Sequence, residues 1–306
     1  MISIITRTYN RADLIERAIR SILVQDYTDF EIIVVNDAST DNTLEVLSRI
    51  NDYRIRIVNH SRNLGMAGAF HTGLNCIKGE WFTLLDSDDE MVPEALSTML
   101  GVLDKINPQI DAITCNCIDT TTGEFSGKGL YEDQYLDAKT ILQKCSGEFW
   151  GLTKTSLLPE RANEQYLAAV WNKINKKATR YYIHKGLRKY YTDGNDRYSL
   201  PSVHLSEDKK HRKYFTYISI LNEKELIEDY RTNGKKLFLD LHYSMGVFFI
   251  QYGDKKLAKH CIKEIASMPN SKIKTLILIF GFIFGKNSIF YLKKIKRSIF
   301  KQYILK

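Results

Sequence analysis

The densest chemistry in the chain is the acidic run Asp86-Ser87-Asp88-Asp89, which directly follows the apolar segment 81–85 (WFTLL). Several carboxylates at a strand end are costly without a cation. Alternate carboxylates hold magnesium or manganese through hard oxygen ligands and leave positions open for water and phosphate oxygens. Such an ion cancels the charge of a departing diphosphate. The competing account is an acidic turn that caps the next helix. Three more polar clusters follow apolar runs: Thr8-Tyr9-Asn10-Arg11, Asn36-Asp37-Ala38-Ser39 and Asn63-Leu64-Gly65. In an open parallel sheet ligands bind at the C-terminal strand ends, so all four clusters converge on one edge. Asp37 either accepts a hydrogen bond from a base N–H or ribose hydroxyl, or Asp37 or Ser39 caps the following helix. Neither a Walker-type phosphate loop nor a Gly-x-Gly-x-x-Gly turn after the first strand is present, which argues against kinase-like and standard dinucleotide sites.

The elements that must position these clusters alternate strand with helix, the signature of a parallel sheet covered on both faces. Strands are expected at 2–6 (ISIIT), 30–35 (FEIIVV), 54–59, 81–85 and 111–117. The second is a nearly continuous apolar run, of the sort buried on both sides. Helices are expected at 13–25, where Leu14, Ala18, Ile19, Ile22 and Leu23 recur at helical spacing, after the capping run Ser39-Thr40-Asp41, at 66–77, and from Pro93 to about residue 103. Beyond Thr120 the pattern loosens, and Gly123, Gly127 and Gly129 lie in a polar stretch that reads as a loop near a site.

Residues 3–42 (SIITRTYNRADLIERAIRSILVQDYTDFEIIVVNDASTDN) and 63–96 (NLGMAGAFHTGLNCIKGEWFTLLDSDDEMVPEAL) resemble the family 2 glycosyltransferases of the GT-A fold. The resemblance implies an α/β, Rossmann-like, mostly parallel sheet flanked by helices, with a helical C-terminal extension. It implies that Thr8, Tyr9 and Asp37 contact a nucleotide base and ribose, that Asp86 lies against the ribose or the metal, and that Asp88 coordinates a divalent ion, manganese or magnesium. Asn10, Arg11, Asn63, Gly65 and Ser87 complete the expected donor site. Four positions depart from the family pattern. Arg7 stands where proline is usual, Asn36 replaces the first of two common aspartates, and Ala69-Phe70-His71 replaces Ala-Arg-Asn.

Inverting sugar transfer needs a carboxylate that takes the acceptor hydroxyl's proton, and geometry matters more than pKa for that group. In relatives it follows a segment resembling 148–158 (EFWGLTKTSLL). The candidates are Glu164, which leads into a helix at 166–176, and Glu160, Asp193 and Asp196 as alternatives. The competing account of Glu164 is a solvated first-turn acid favoured by the helix dipole. The stretch 182–199 resembles a segment of some bacterial members in which a strand leads into a polar loop closing over donor or acceptor, where Arg188 and Arg197 either meet phosphate oxygens or are solvated. Trp150 either stacks on a sugar or belongs to the core.

The 306 residues carry a net charge of +8, and no acid follows Glu264. The domain expectation is a catalytic domain over 1–220, with a donor half at 1–120 and an acceptor half at 121–220, followed by a helical, basic extension over 221–306. The apolar run 273–284 is shorter than the about 20 residues that span a bilayer. Residues 286–306 interleave basic and apolar side chains as an amphipathic helix for an anionic membrane surface. No recognised nucleic-acid module accompanies that charge. Five scattered cysteines and no secretory signal before the first apolar run fit a reducing cytoplasm. Cys115 and Cys117 share a strand face, as packing residues rather than a metal or redox pair.

The function expected is transfer from a nucleotide diphosphate sugar, a UDP-sugar by preference, to a glycan or lipid-linked hydroxyl in surface polysaccharide synthesis, at the inner membrane face. A non-catalytic nucleotide-sugar or glycan-binding subunit is the alternative. A nucleotidylyltransferase would share the sheet and the acidic site, but the glycine-rich basic first loop it requires is missing.

Overall fold

The structure is a computed structural model that describes residues 1–103, 105–106, 109–160, 167–192 and 207–285. The chain divides into two compact units, Met1–Asp196 and Arg197–Lys306.

The first unit opens as its hydrophobic pattern dictates. Strands β1 (Ile2–Thr8), β2 (Phe30–Asn36), β3 (Ile55–Asn59) and β4 (Trp81–Leu84) alternate with helices α1 (Ile15–Leu23), α2 (Thr43–Ser48) and α3 (Gly65–Asn75). The short β5 (Glu90–Met91), α4 (Ala95–Leu103) and β6 (Ala112–Asp119) follow. Then come β7 (Gln134–Leu136), α5 (Ala138–Lys144), β8 (Phe149–Lys154), α6 (Leu167–Lys177) and β9 (Arg180–Tyr190). Among the described residues these strands form one nine-stranded sheet, ordered β3-β2-β1-β4-β8-β6-β9-β5 with β7 on β9. Strands β1 to β4 are parallel throughout. Strand β8 then runs antiparallel between β4 and β6, and β9 runs parallel to β6.

The register decides where polar ends meet. Thr8 lies beside Asn36, and Leu84 beside Ile5, so β1, β2 and β4 end at one rim. Antiparallel β8 begins at that rim, with Phe149 opposite Asn116, and Arg188 of β9 arrives there opposite Cys117. Every loop leaving the rim therefore faces the others.

Apolar side chains fill both sheet faces. On one, Ile4, Ile32 and Val34 pack with Ile19 and Ile22 of α1 and Met99 of α4. On the other, Ile5, Ile33, Val35 and Phe82 pack with Phe70 and Leu74 of α3 and Val170 and Ile174 of α6. Helix α3 presses directly on β1 at Gly73, where a Cβ would lie 2.4 Å from the Ile5 methyl.

The second unit is helical: α7 (Glu207–Asn222), α8 (Lys224–Thr232), α9 (Lys235–Tyr252), α10 (Lys255–Ala266) and α11 (Lys272–Phe284). Met245, Phe248 and Phe249 of α9 pack on Ala258 and Cys261 of α10, while Ile277 and Leu278 of α11 meet Val247 and Ile265. Among the described residues nothing covers the opposite face of α11, where Ile273, Leu276, Ile283 and Phe284 are each more than three-fifths exposed. Among the described residues no helix is long and apolar enough to cross a membrane. Residues 286–306, read in the sequence as a basic amphipathic helix, lie outside the described residues.

Candidate active site

The loop after β1 is tied to the loop after β2 by Asn10, a non-glycine residue in the left-handed region at φ +52°. Its backbone N–H donates to Ser39 Oγ at 3.0 Å, and its side-chain oxygen accepts from the Thr40 N–H at 2.8 Å. The Arg11 N–H donates to Thr43 Oγ1 at 2.9 Å. Ala38 is also left-handed, at φ +59°, a conformation that is costly for a residue with a Cβ and that persists only where surrounding contacts enforce it. Thr8 is buried, and Tyr9 stands exposed beside it at the rim.

Asp37 is buried, and its carboxylate works across the next loop. One oxygen accepts from the Leu64 N–H at 2.7 Å and the other from the Gly65 N–H at 2.8 Å. His60 Nδ1 lies 2.7 Å away, and its Nε2 lies 2.8 Å from Thr72 Oγ1. Asp37 thus satisfies free amides at the start of α3, where a negative charge is also favoured by the helix dipole. The sequence reading weighed a cap on the following helix, yet the helix it holds is the one after. Asn63 Oδ1 also accepts from the Gly65 N–H, at 3.1 Å, and Gly65 adopts φ +77°.

The acidic loop is organised by arginines. Arg7 donates to Asp86 Oδ1 at 2.7 Å and Arg188 to Asp86 Oδ2 at 2.8 Å, so both oxygens of Asp86 are engaged. Arg188 is buried and also grips Asp89 through Nε at 2.8 Å, while Asp89 Oδ1 accepts from the Tyr191 N–H at 3.0 Å. Solvation at the surface is therefore excluded for Arg188. Burial works against its charge, but Asp86 and Asp89 outweigh burial and raise its pKa above the ordinary arginine value. Burial likewise pushes the Asp86 carboxyl upward, and the charges of Arg188 and Arg7 overcome it, holding the group at about 2. Arg17 stacks over the Tyr191 ring at 3.7 Å and donates to the Asp88 carbonyl, fixing the loop from below.

Asp88 differs from its neighbours. Among the described residues its carboxylate has no hydrogen-bond or ion-pair partner, although its backbone is held. Arg7 and Arg188 pair with Asp86 and Asp89, and Arg17 pairs with Glu90 at 3.4 Å, which leaves Asp88 as the acid of this loop without a cation among the described residues. Among the described residues no group of three or more His, Cys, Asp or Glu side chains is arranged to hold a metal by itself. One free carboxylate nevertheless suits magnesium-like binding, which commonly uses one or two carboxylates with substrate phosphates and water. Asp86, the other expected ligand, has its oxygens on Arg7 and Arg188. Ser87, between Asp86 and Asp88 in sequence, is buried.

Other expected residues are more dispersed. Glu160 is exposed, and Glu164, Asp193, Asp196 and Arg197 lie outside the described residues. Trp150 is a core residue whose indole N–H donates to the Leu84 carbonyl at 2.7 Å. Cys115 and Cys117 are buried, free thiols that pack in the core, and burial pushes Cys117 up to about 12. Sequence reasoning gave Arg7 no role. The available signal was a cation at the end of an otherwise apolar buried strand, where only a nearby acid makes it tolerable.

The Asp86 pair sets a pH response. Its folded carboxyl sits at about 2 against an ordinary 3.8, so its stabilising contribution is complete above the higher value and is lost as pH falls toward the lower. Urea unfolding should show a midpoint that declines from about pH 4 to pH 2, with a shallower decline in Arg7→Gln. An Arg7→Gln profile parallel to wild type would remove Arg7 from that account.

Residues 3–157 match the family described as Glycosyl transferase family 2. A Campylobacter jejuni protein named GalNAc(5)-diNAcBac-PP-undecaprenol beta-1,3-glucosyltransferase is 34% identical, with 98% of this chain and 99% of that protein covered. An Escherichia coli protein named UDP-Glc:alpha-D-GlcNAc-diphosphoundecaprenol beta-1,3-glucosyltransferase WfaP is 36% identical over 34% of this chain and 41% of its own length. Among solved structures, S. aureus TarS in complex with UDP-GlcNAc superposes with a TM-score of 0.62 at 18% identity, covering 97% of this chain and 91% of that one. The chain belongs to the family 2 glycosyltransferases, and its fold is that of GT-A enzymes.

Proposed function

We propose that this glycosyltransferase moves a hexosyl or N-acetylhexosaminyl group, with inversion, from a UDP-sugar to a hydroxyl of a lipid-linked glycan in surface polysaccharide synthesis. The observation that carries the reading is the unneutralised carboxylate of Asp88 at the rim where β1, β2 and β4 end. The two relatives named above are β-1,3-glucosyltransferases whose names specify diphosphoundecaprenol-linked acceptors, and one name specifies UDP-glucose. Their likeness supports the donor and acceptor classes.

Thr8, Tyr9, Asn10, Arg11 and Asp37 then frame the nucleotide, either directly or by fixing the loops around it. Arg7 and Arg188 keep Asp86 ionised and fixed in orientation. A divalent cation, manganese or magnesium, held by Asp88 would offset the charge of the departing diphosphate. Glu164 takes the acceptor proton, with Glu160, Asp193 and Asp196 as the other candidate carboxylates. Glu164→Gln should leave UDP-sugar affinity unchanged while lowering transfer by roughly 10²–10⁴-fold. Unchanged transfer would move the role to Asp193 or Asp196. A panel of nucleotide sugars with manganese tests the donor assignment, because a ligand that binds only the folded state raises its melting temperature. Stabilisation by no UDP-sugar would refute the assignment.

An acceptor of that class would bring the protein to an anionic membrane surface, and two features support that location. The exposed apolar face of α11 is one, and the lysine-rich, acid-free sequence that follows it is the other. Ile283→Glu should weaken binding to phosphatidylglycerol vesicles while the helical signal is retained, since the side chain is exposed. Equal pelleting of wild type and variant would dismiss this face.

A further inference from the structure

A cavity of about 350 Å³ opens beside Asp86 and runs along the α6 side of the sheet. Gly151, opposite Thr114 in the β8–β6 register, lines it, and a Cβ there would lie 1.9 Å from the Ile113 carbonyl oxygen. Phe149 and Trp171 form apolar walls, and Trp171 is held in place by stacking on Phe82 at 6.0 Å between ring centroids. This volume is at the lower end of small-molecule sites, ~300–1,000 Å³.

The cavity wall carries an unusual charge. Arg180 is 8% exposed and lines the cavity. It donates to Thr114 Oγ1 at 2.7 Å and to Asn175 Oδ1 at 2.9 Å, both neutral acceptors. Its Nε is buried without a hydrogen-bond partner. Among the described residues no carboxylate pairs with it, and burial pulls its pKa down to about 10. Arg188, buried to a similar degree, is neutralised by two acids. Among the described residues the carboxylates at the mouth are Asp86 and Glu148, and neither pairs with Arg180. Asp86 is already committed to Arg7 and Arg188, and Glu148 is exposed to solvent.

A buried cation left with neutral partners is costly unless something else compensates it. We propose that this cavity is an acceptor subsite for an acidic sugar, in which Arg180 receives the carboxylate or phosphate of the sugar while Phe149 and Trp171 flank its ring. The planar guanidinium suits either oxyanion, and aromatic walls suit a pyranose. The inference rests on the glycosyl-transfer reading, because the cavity mouth is the proposed transfer site.

The test uses the full chain and ligand-detected NMR titration with methyl β-D-glucuronide, methyl β-D-glucoside and glucose 6-phosphate. One or both acidic sugars should bind at least about tenfold tighter than the neutral glucoside, the gain expected of a charge-assisted pair. Preference for the glucuronide identifies a carboxylate, and preference for the phosphate identifies a phosphorylated sugar. Arg180→Gln should erase that preference and leave the melting temperature equal or higher, since an unpaired buried cation has been removed. UDP-sugar binding with manganese should persist in the variant, which separates this proposal from the donor assignment. Equal binding of acidic and neutral sugars, binding of none, or an Arg180→Gln protein that melts lower with its preference intact would each overturn it.

Discussion

Asp88→Asn should lower sugar transfer by roughly a thousandfold while leaving unfolding stability within about 0.5 kcal/mol of wild type. The two halves of that expectation have separate causes. Stability is spared because the Asp88 carboxylate contacts no described partner, while its carbonyl, which asparagine retains, accepts from Arg17. Activity is lost because Asp88 carries the negative charge of the loop that no described arginine cancels, and the amide of asparagine is a poor ligand for a hard dication. Steady-state turnover with manganese and urea unfolding of the same preparation measure both. An Asp88→Asn protein with wild-type turnover would remove the site from its proposed place, and one that failed to fold would show that the carboxylate has a structural partner.

Arg188→Met should have the opposite profile, a loss of about 3–5 kcal/mol in unfolding free energy. Arg188 is buried and holds Asp86 and Asp89 together, and Asp89 is 1% exposed. Removing the guanidinium strands Asp89 in a site that burial already disfavours for a charge. Asp86 adds less, because that carboxylate is partly exposed and keeps Arg7. The double variant Arg188→Met with Asp89→Asn should therefore be less destabilised than the single one, since no charge is left stranded. Simple additivity of the two substitutions would show that the pair is not coupled.

These two residues illustrate how far the sequence could be read. The first four strands and the helices between them follow apolar periodicity, and the rim that gathers the four polar clusters follows from the parallel register. Asp88 was visible because its pattern sits directly after a buried strand. Arg7 and Arg188 were not assigned to Asp86, because the three residues are distant in sequence and only the return of β9 to the rim brings them together. Strands β7 and β8 and the parallel placement of β9 beside β6 were equally hidden. Their pairings are non-local, and glycines and mixed polarity blur any period between residues 120 and 160. Helix α7 is largely polar, so its period is weak in sequence. Asp37 shows a subtler limit: its capping character was legible, but the helix it caps lies across a loop and not next in sequence.

The central claim is that one uncompensated carboxylate at the sheet rim is where a divalent cation meets a nucleoside diphosphate. Electron paramagnetic resonance of Mn²⁺ tests it directly, because the signal of the hydrated ion disappears when the ion is bound. In the presence of UDP, wild-type protein should deplete that signal well beyond UDP alone, and Asp88→Asn should not. Equal depletion by the two proteins would contradict the account.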